Sequence, residues 1–196
     1  MKIKQLMNLF SMLLILVLLA VPAQGAAPPL KKYGTIDDFQ LMDSTGEWMG
    51  LQELKGKVWV ADFIFTTCGS LCPIMTKNLA EIYKTFKETD GLEFVSISVN
   101  PEQDSPEALA EYAKKYEVDT GKWHFLTGPR DTITRLVVKD FKLGLGDEIV
   151  FHKASFVLVD RQGRIRGYYD GTVEKDMKKL KEDLPRLLQE KQRKRH

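Results

Sequence analysis

The sequence is poor in cysteine and has no excess of either charge. Its only two cysteines, among 196 residues, are Cys68 and Cys72. Lys and Arg number 29 against 27 Asp and Glu, and because Lys2 and Lys4 are the only charged residues before residue 26, the rest of the chain carries 27 of each sign. A neutral body without a basic stripe argues against binding to nucleic acid. The chain also shows no internal repeat, and its glycine-rich stretch at 144–147 lacks a phosphate-binding spacing.

The first 25 residues resemble a targeting segment. Lys2 and Lys4 give a basic start, Leu9–Val21 is almost wholly apolar, and 23–25 resembles a cleavage site of small residues. The apolar run is short for a membrane span, which needs about 20 residues, although an uncleaved anchor could extend back through Ile3. No cysteine lies near it, so a lipid-modified amino terminus is not expected. We expect an exported protein at the outer face of the cytoplasmic membrane or in the periplasmic space, either anchored or soluble after cleavage.

The remainder of the chain suits one domain with a sizeable core. We expect a linker at 26–34, which begins Ala-Ala-Pro-Pro, a domain at 35–190, and a basic tail at 191–196. A basic run of this kind is most often a solvated end and less often a contact with a lipid surface.

Hydrophobic periodicity predicts an α/β domain, with a mixed sheet and helices on both faces. A short hairpin around 43–46 precedes an apolar strand that starts at Val58, and helical spacing follows from Leu71 to Phe86. Later strands are expected at Leu92–Val99, Trp123–Leu126, Ser155–Val159 and Arg164–Tyr169, with helices capped by Ser105, over 129–139 and capped by Thr172.

Both cysteines lie where the first core strand is followed by a helix. The strand is predicted to run to Cys68, Gly69 breaks it, and Cys72 and Pro73 fall in the first helical turn. Free N–H groups at a helix start favour an anion, so a thiol there ionises more easily. Because the cysteines are four residues apart, both sulfurs would project to the same side, where they can form a disulfide or bind one metal ion.

Each of these candidate residues also has a simpler interpretation. Isolated buried cysteines are often inert, and a disulfide across so short a loop constrains the unfolded chain little. Met75 has a thioether that could be a soft ligand, but its helical spacing favours core packing. His124, between an aromatic residue on either side, is more typical of a packed or edge residue than of a ligand.

The cysteine region resembles the motif of the Sco/SenC family. The likeness is carried by Phe63–Pro73, by the sequence Asn-Pro-Glu-Gln-Asp-Ser-Pro at 100–106, which is similar to the family's D-P-x-x-D-[ST]-P loop, and by His152 followed by the strand and turn at 156–163. It covers roughly residues 35–185. The resemblance implies a thioredoxin-like fold, here with the hairpin as an N-terminal extension.

The same resemblance implies an exported copper-binding protein that delivers copper to, or prepares, the dinuclear copper centre of cytochrome c oxidase subunit II. Its implied ligands are Cys68, Cys72 and His152. Two thiolates and an imidazole suit Cu(I) and can hold Cu(II), whereas a structural zinc would want a fourth protein ligand. The implied partners are subunit II or a similar copper acceptor, a thiol reductant, and the membrane if the first segment is uncleaved. Such a protein is a metallochaperone rather than an enzyme.

The chain departs from the family pattern at two places. Asn100 stands where the loop has its first aspartate, which weakens any role of a carboxylate in orienting a ligand. Phe151 and Lys153 flank the histidine where smaller or acidic residues would be usual. We therefore expect a copper affinity that differs from the usual behaviour of the family.

Two other functions would use the same thiols. A thiol–disulfide oxidoreductase would use Cys68 and Cys72 as a redox pair on the acceptor's cysteines without carrying metal, although exchange proteins usually have the closer C-x-x-C spacing. A peroxidase-like enzyme would use Cys68 as nucleophile and Cys72 as resolving thiol. That third interpretation leaves His152 unexplained.

Overall fold

The computed structural model describes residues 28–145, 148–149 and 154–190. The helices are α1 (Leu71–Phe86), α2 (Pro106–Lys114), α3 (Arg130–Arg135) and α4 (Glu174–Gln189), and a π-helical turn at Leu136–Asp140 continues α3. The strands are β1 (Gly34–Thr35), β2 (Gln40–Asp43), β3 (Trp48–Gly50), β4 (Val58–Ile64), β5 (Leu92–Ser98), β6 (Trp123–Thr127), β7 (Gly144–Leu145), β8 (Glu148–Ile149), β9 (Ser155–Val159) and β10 (Arg164–Asp170). Within this part of the chain, no helix has the length and apolar character that crossing a bilayer requires. The predicted targeting segment and basic tail lie outside the described residues.

One mixed sheet of eight strands organises the domain, in the order β1-β10-β9-β4-β5-β6-β2-β3. Strands β4, β5 and β6 are parallel, while every other pairing in this sheet is antiparallel. The predicted hairpin is β2–β3, and β2 pairs with β6, so the hairpin extends one edge of the sheet. Strands β7 and β8 form a separate two-stranded sheet.

Strand β4 lies at the centre because both of its faces are apolar. Val58, Val60 and Ile64 point into a cluster with α1, α2 and α4. Trp59 and Ala61 point into a second cluster with α3 and the π-helical turn. Alternate strand residues face opposite sides of a sheet, so a continuous apolar run needs helices on both sides. The predicted mixed sheet with helices on both faces is confirmed.

Two predicted helix starts have different outcomes. Ser105 caps α2 as predicted, since its Oγ accepts a hydrogen bond from the Ala108 N–H (3.3 Å) and Pro106 is the first helical residue. The prediction that Thr172 caps the last helix is wrong. Its hydroxyl donates to Asp170 (2.6 Å) instead, and Val173 is the capping residue of α4.

Candidate functional site

The loop that carries Cys68 begins earlier than the sequence predicts. Strand β4 ends at Ile64, and the Cys68 N–H donates to the Phe65 carbonyl (3.1 Å), which turns the chain before the cysteine. Helix α1 then begins at Leu71. Cys68 therefore lies in a loop between strand and helix, while Cys72 lies in the first helical turn, as predicted.

Both cysteines are free thiols in direct contact with the start of α1. Cys68 is half-buried and Cys72 is buried. The Cys72 N–H donates to Cys68 Sγ (3.4 Å), and Ser70 Oγ lies 3.8 Å from the same sulfur. The Ser70 side chain does not cap the helix. The sulfur of Cys68 instead accepts a hydrogen bond from one of the N–H groups that a helix start leaves without a backbone partner.

These donors make Cys68 the more acidic thiol. Partial burial acts to raise its pKa, but the N–H groups of Cys72 and Ser70 and the side chains of both residues stabilise the thiolate, which lowers the pKa of Cys68 to about 7. A thiol with that pKa is about half ionised at pH 7. The predicted effect of the helix start on a cysteine is present at Cys68.

The second thiol is shifted in the opposite direction. Burial raises the pKa of Cys72 to about 12, and its hydrogen bond to Cys68 and the negative charges of Cys68 and Asp62 act in the same sense. Asp62 lies wholly buried in β4, where desolvation raises its own pKa to about 7 although Ser96 Oγ donates to its Oδ1 (2.5 Å). The site thus pairs a thiol that is about half ionised at pH 7 with one that keeps its proton.

The buried carboxylate of Asp104 is hydrogen-bonded to the start of the loop that carries Cys68. Asp104 is 0% exposed and accepts hydrogen bonds from the Thr66 N–H (3.1 Å), the Thr66 hydroxyl (2.5 Å) and the Ser98 hydroxyl (2.6 Å). Because Thr66 precedes Cys68 by two residues, this carboxylate fixes the path of the chain into the site. Asn100 lies in the same loop, and its side-chain amide donates to Gln103 (3.0 Å).

The third predicted ligand, His152, lies outside the described residues. Within the described ranges, no three His, Cys, Asp or Glu side chains are grouped so that they could hold a metal ion. Ala154, two residues after His152, is buried in the same cluster as Cys72. Strand β9 starts next to Ala154 and runs antiparallel to β4, with Val157 opposite Ala61. The start of β9 therefore lies at the end of the sheet from which β4 leads into the cysteine loop.

Among the residues that the structure describes, the one histidine is His124, which lies between two carboxylates away from the cysteines. Its Nδ1 is hydrogen-bonded to Asp43 (3.2 Å), and its Nε2 lies 3.5 Å from Glu93, close enough for charge attraction but poorly aligned for a hydrogen bond. Lys57 pairs with the other oxygen of Glu93 (3.0 Å). His124 is a packed residue that links β2, β5 and β6, in keeping with its sequence context.

His124, Asp43, Glu93 and Lys57 form a charged cluster, which we call the His124 cluster. It predicts how the stability of the protein depends on pH. Burial alone would lower the pKa of His124, but the two carboxylates outweigh it and raise the pKa above its ordinary 6.5. The stabilisation that the protonated His124 contributes is therefore complete below about pH 6.5, and it is lost as the pH rises through the raised pKa of this residue. His124, together with the Thr45 N–H at Asp43 and Lys57 at Glu93, outweighs burial and lowers the pKa values of the two carboxyl groups below the ordinary 3.8 and 4.5, so their share of the stabilisation is lost only in stronger acid.

We expect His124→Gln to lower the free energy of unfolding by on the order of 2 kcal/mol near pH 6, as for hydrogen bonds to charged groups. The difference between parent and variant should shrink by pH 9, because the parent's imidazole is then neutral. Urea unfolding across this range measures both. A difference that grows with pH would contradict the cluster's assigned charges.

The sequence did not reveal the supports of the site. Asp104 belongs to the loop motif at 100–106, but its bonds to Thr66 join residues 38 positions apart, which no local pattern predicts. Asp62 did leave a signal, since it is a carboxylate inside an otherwise apolar strand. A charged residue in such a run indicates either a specific partner or a shifted pKa.

Comparisons with known proteins agree with this architecture. The SCO1/SenC family model matches residues 28–189. The SCO1 protein homolog of Bacillus subtilis (strain 168) is 34% identical over 174 residues, which cover 86% of this chain and 89% of that protein.

Two solved structures are similar over most of their length. One is BsSco, described as a member of the Sco family of cytochrome c oxidase assembly proteins with a disulfide switch; it is 32% identical, has a TM-score of 0.74, and the match covers 84% of this chain and 100% of that one. The other is ScoI of Bradyrhizobium japonicum with copper bound, 25% identical with a TM-score of 0.64, covering 79% and 99%. The predicted thioredoxin-like fold is confirmed, and this chain belongs to the SCO1/SenC family.

Proposed function

We propose that this protein is exported, binds copper through Cys68, Cys72 and His152, and acts in the assembly of cytochrome c oxidase. The copper is its cargo, which it delivers to the dinuclear copper centre of subunit II or a similar acceptor. Its predicted targeting segment supports a location at the outer face of the cytoplasmic membrane or in the periplasmic space. A thiol reductant keeps the two cysteines ready to bind.

The observation that carries the proposal is the pair of free thiols at the start of α1. The Cys72 N–H contacts Cys68 Sγ, and the side chains of the two cysteines also interact. Ala154 is buried in the cluster that contains Cys72, and a chain of two residues spans at most about 7 Å. This position supports His152 as the residue that supplies the imidazole. Relatives described with copper bound, such as ScoI of Bradyrhizobium japonicum, support the choice of metal.

The donor set fits a cargo that must be released again. Two thiolates and an imidazole are soft ligands that suit Cu(I) and can hold Cu(II). About half of Cys68 is already ionised at pH 7, whereas Cys72 must give up a proton when it binds the metal. Copper binding therefore releases protons and strengthens as the pH rises. A three-coordinate site leaves room for a ligand of the acceptor to enter.

The unequal thiols favour a second candidate, a thiol–disulfide oxidoreductase acting on the acceptor. The Cys68 thiolate would attack a disulfide of the acceptor, forming a mixed disulfide and releasing one acceptor thiolate. Cys72, having lost its proton, would then attack Cys68 Sγ, which releases the second acceptor thiolate and leaves a Cys68–Cys72 disulfide. A thiol reductant would restore both thiols.

The substitution His152→Ala separates the two candidates. If His152 is a ligand, we expect the reduced variant to lose tight copper binding while the Cys68–Cys72 disulfide still forms. Absorption in the visible range after addition of Cu(II) measures the thiolate-to-copper charge transfer, and thiol titration measures disulfide formation. His196→Ala is the matched control, because this histidine is not a predicted ligand.

Two outcomes would count against copper delivery. Unchanged copper absorption in His152→Ala would show that the ligand assignment is wrong. Full-rate reduction of an acceptor disulfide by a protein that never binds copper would instead favour the oxidoreductase.

A further inference from the structure

Two exposed apolar side chains lie at the end of the molecule that carries the cysteines. Among the residues that the structure describes, the large apolar side chains that are exposed are Tyr33 (42%), Trp48 (61%), Ile74 (50%) and Val173 (43%). Ile74 follows the buried Cys72 by two residues, which in a helix of 3.6 residues per turn places it on the opposite, outer face of α1. A single exposed apolar residue is common, whereas neighbouring ones indicate a surface for interaction.

Ile74 and Val173 lie at the starts of two helices that pack on the same side of the sheet. Strand β9 is antiparallel to both β4 and β10, so β4 and β10 end at the same edge of the sheet. Helix α1 follows β4 and α4 follows β10, and both helices pack in one hydrophobic cluster. Asn78, one turn after Ile74, donates its side-chain amide to the Gly171 carbonyl (2.8 Å), two residues before Val173. We call Ile74 and Val173 the apolar patch.

The patch is close enough to Cys68 to be covered by any protein that bonds to this sulfur. Cys68 Sγ lies 3.4 Å from the Cys72 nitrogen, and the Ile74 Cα is about 6 Å further along the helix. A standard protein–protein interface covers about 800 Å² of each partner, and a circle of that area has a radius of about 16 Å. A partner centred on Cys68 therefore covers Ile74. Trp48 lies outside that circle, because β3 is four strands from β4, about 19 Å away.

The chain around the cysteines is also free of charged residues. The fourteen residues 63–76 include no Asp, Glu, Lys, Arg or His, although Asp, Glu, Lys and Arg make up 29% of the chain. The exposed members of this stretch are Thr67, Gly69, Ser70, Pro73 and Ile74. The neighbouring side chain from the next loop, Gln103, is neutral and accepts a hydrogen bond from the Thr67 hydroxyl (3.5 Å). Depletion of charge is typical of the centre of a protein–protein interface.

We propose that the apolar patch is the surface on which the copper acceptor docks when one of its sulfurs bonds to Cys68. The partner is a folded protein that presents its cysteines within an apolar, uncharged surface. The identity of this partner rests on the proposed function, but docking does not require bound copper. Because burial of apolar surface drives this association, its strength should depend little on salt, which screens charges.

The test measures docking through the bond that Cys68 forms, using the full chain with Cys72→Ser. The partner is the soluble domain of cytochrome c oxidase subunit II, with one of its two cysteines replaced by serine and the other converted to a pyridyl disulfide. The Cys68 thiolate attacks the partner's cysteine sulfur, a new S–S bond forms, the old one breaks, and thiopyridone leaves. Absorption of the released thiopyridone gives the rate. The pyridyl disulfide of mercaptoethanol has the same leaving group and reports the reactivity of Cys68 alone, so the ratio of the two rates measures docking.

Three substitutions, each made in the Cys72→Ser chain, test the patch. We expect Ile74→Ser to lower the ratio about tenfold, as for a residue at the centre of an interface. Val173→Ser should lower it about fivefold, and this variant should fold because serine is favoured at the start of a helix. Trp48→Ser is the matched control: it replaces a more exposed apolar side chain outside the covered area and should leave the ratio unchanged. Raising the salt from about 0.05 to 0.5 M should change the ratio less than about twofold.

Two results would overturn the proposal. One is an equal ratio in Ile74→Ser and Trp48→Ser. The other is a ratio that falls about tenfold or more with salt, which would show that charged contacts carry the association. The assay contains no copper, so either failure is distinct from a failure of copper binding, which the visible absorption of the parent protein measures separately.

Discussion

At pH 7, iodoacetamide should alkylate Cys68 several hundred times faster than Cys72 in the reduced, metal-free protein. With pKa values of about 7 and about 12, about half of Cys68 but only roughly one Cys72 in 10⁵ is the reactive thiolate. The more basic Cys72 thiolate is the better nucleophile, which reduces the ratio to about 300-fold. Burial of Cys72, which is 5% exposed, then widens the ratio again.

The pH profile identifies the cause of this difference. The rate at Cys68 should rise with an apparent pKa near 7, measured by mass spectrometry of the peptide that contains it. Cys72→Ser is the informative control, because it removes the second thiol but keeps the N–H group that donates to Cys68 Sγ. The Cys68 profile should therefore stay well below the ordinary pKa of 9.0 in that variant. Faster alkylation of Cys72 than of Cys68 in the parent protein would contradict the assigned roles.

This difference between the thiols illustrates what the sequence could and could not predict. Periodicity placed α1 correctly at Leu71–Phe86, because a buried helix face repeats its apolar residues every three to four positions. The apolar run also predicted β4, but it could not show that the strand ends at Ile64. The chain leaves the sheet there because Thr66 bonds to Asp104, a contact between residues 38 positions apart. Which cysteine is acidic depends on that loop.

Other features were missed for the same reason. His124 was correctly expected to be a packed residue, but its partners Asp43 and Glu93 come from two other strands. The Leu30 N–H donates to Glu190 (2.9 Å) across 160 positions, and no local pattern predicts such a pair. Local periodicity fixes the elements, whereas the charged contacts between elements depend on how the strands are ordered in the sheet.

Asp104→Asn should destabilise the protein by about 3 kcal/mol and should also raise the pKa of Cys68. The buried carboxylate accepts three hydrogen bonds, two from Thr66 and one from Ser98. An amide has a single acceptor oxygen, and its NH₂ group would face a donor, so at least one buried bond to a charged group is lost, at roughly 1.5–3 kcal/mol, and another group is left unpaired. Urea unfolding measures the first effect, and the alkylation profile of Cys68 measures the second.

Glu102→Gln is the matched control, since it makes the same chemical change in the same loop. Glu102 is exposed and pairs only with the exposed Arg130 among the contacts described, and exposed ion pairs contribute little to stability. We therefore expect nearly unchanged unfolding and an unchanged Cys68 profile. If Asp104→Asn lowered stability without moving the Cys68 profile, the carboxylate would support the fold but would not position the cysteine loop. A shift in the profile would show that a residue 36 positions from Cys68 in sequence controls how readily that thiol ionises, because it holds the Thr66 backbone in place.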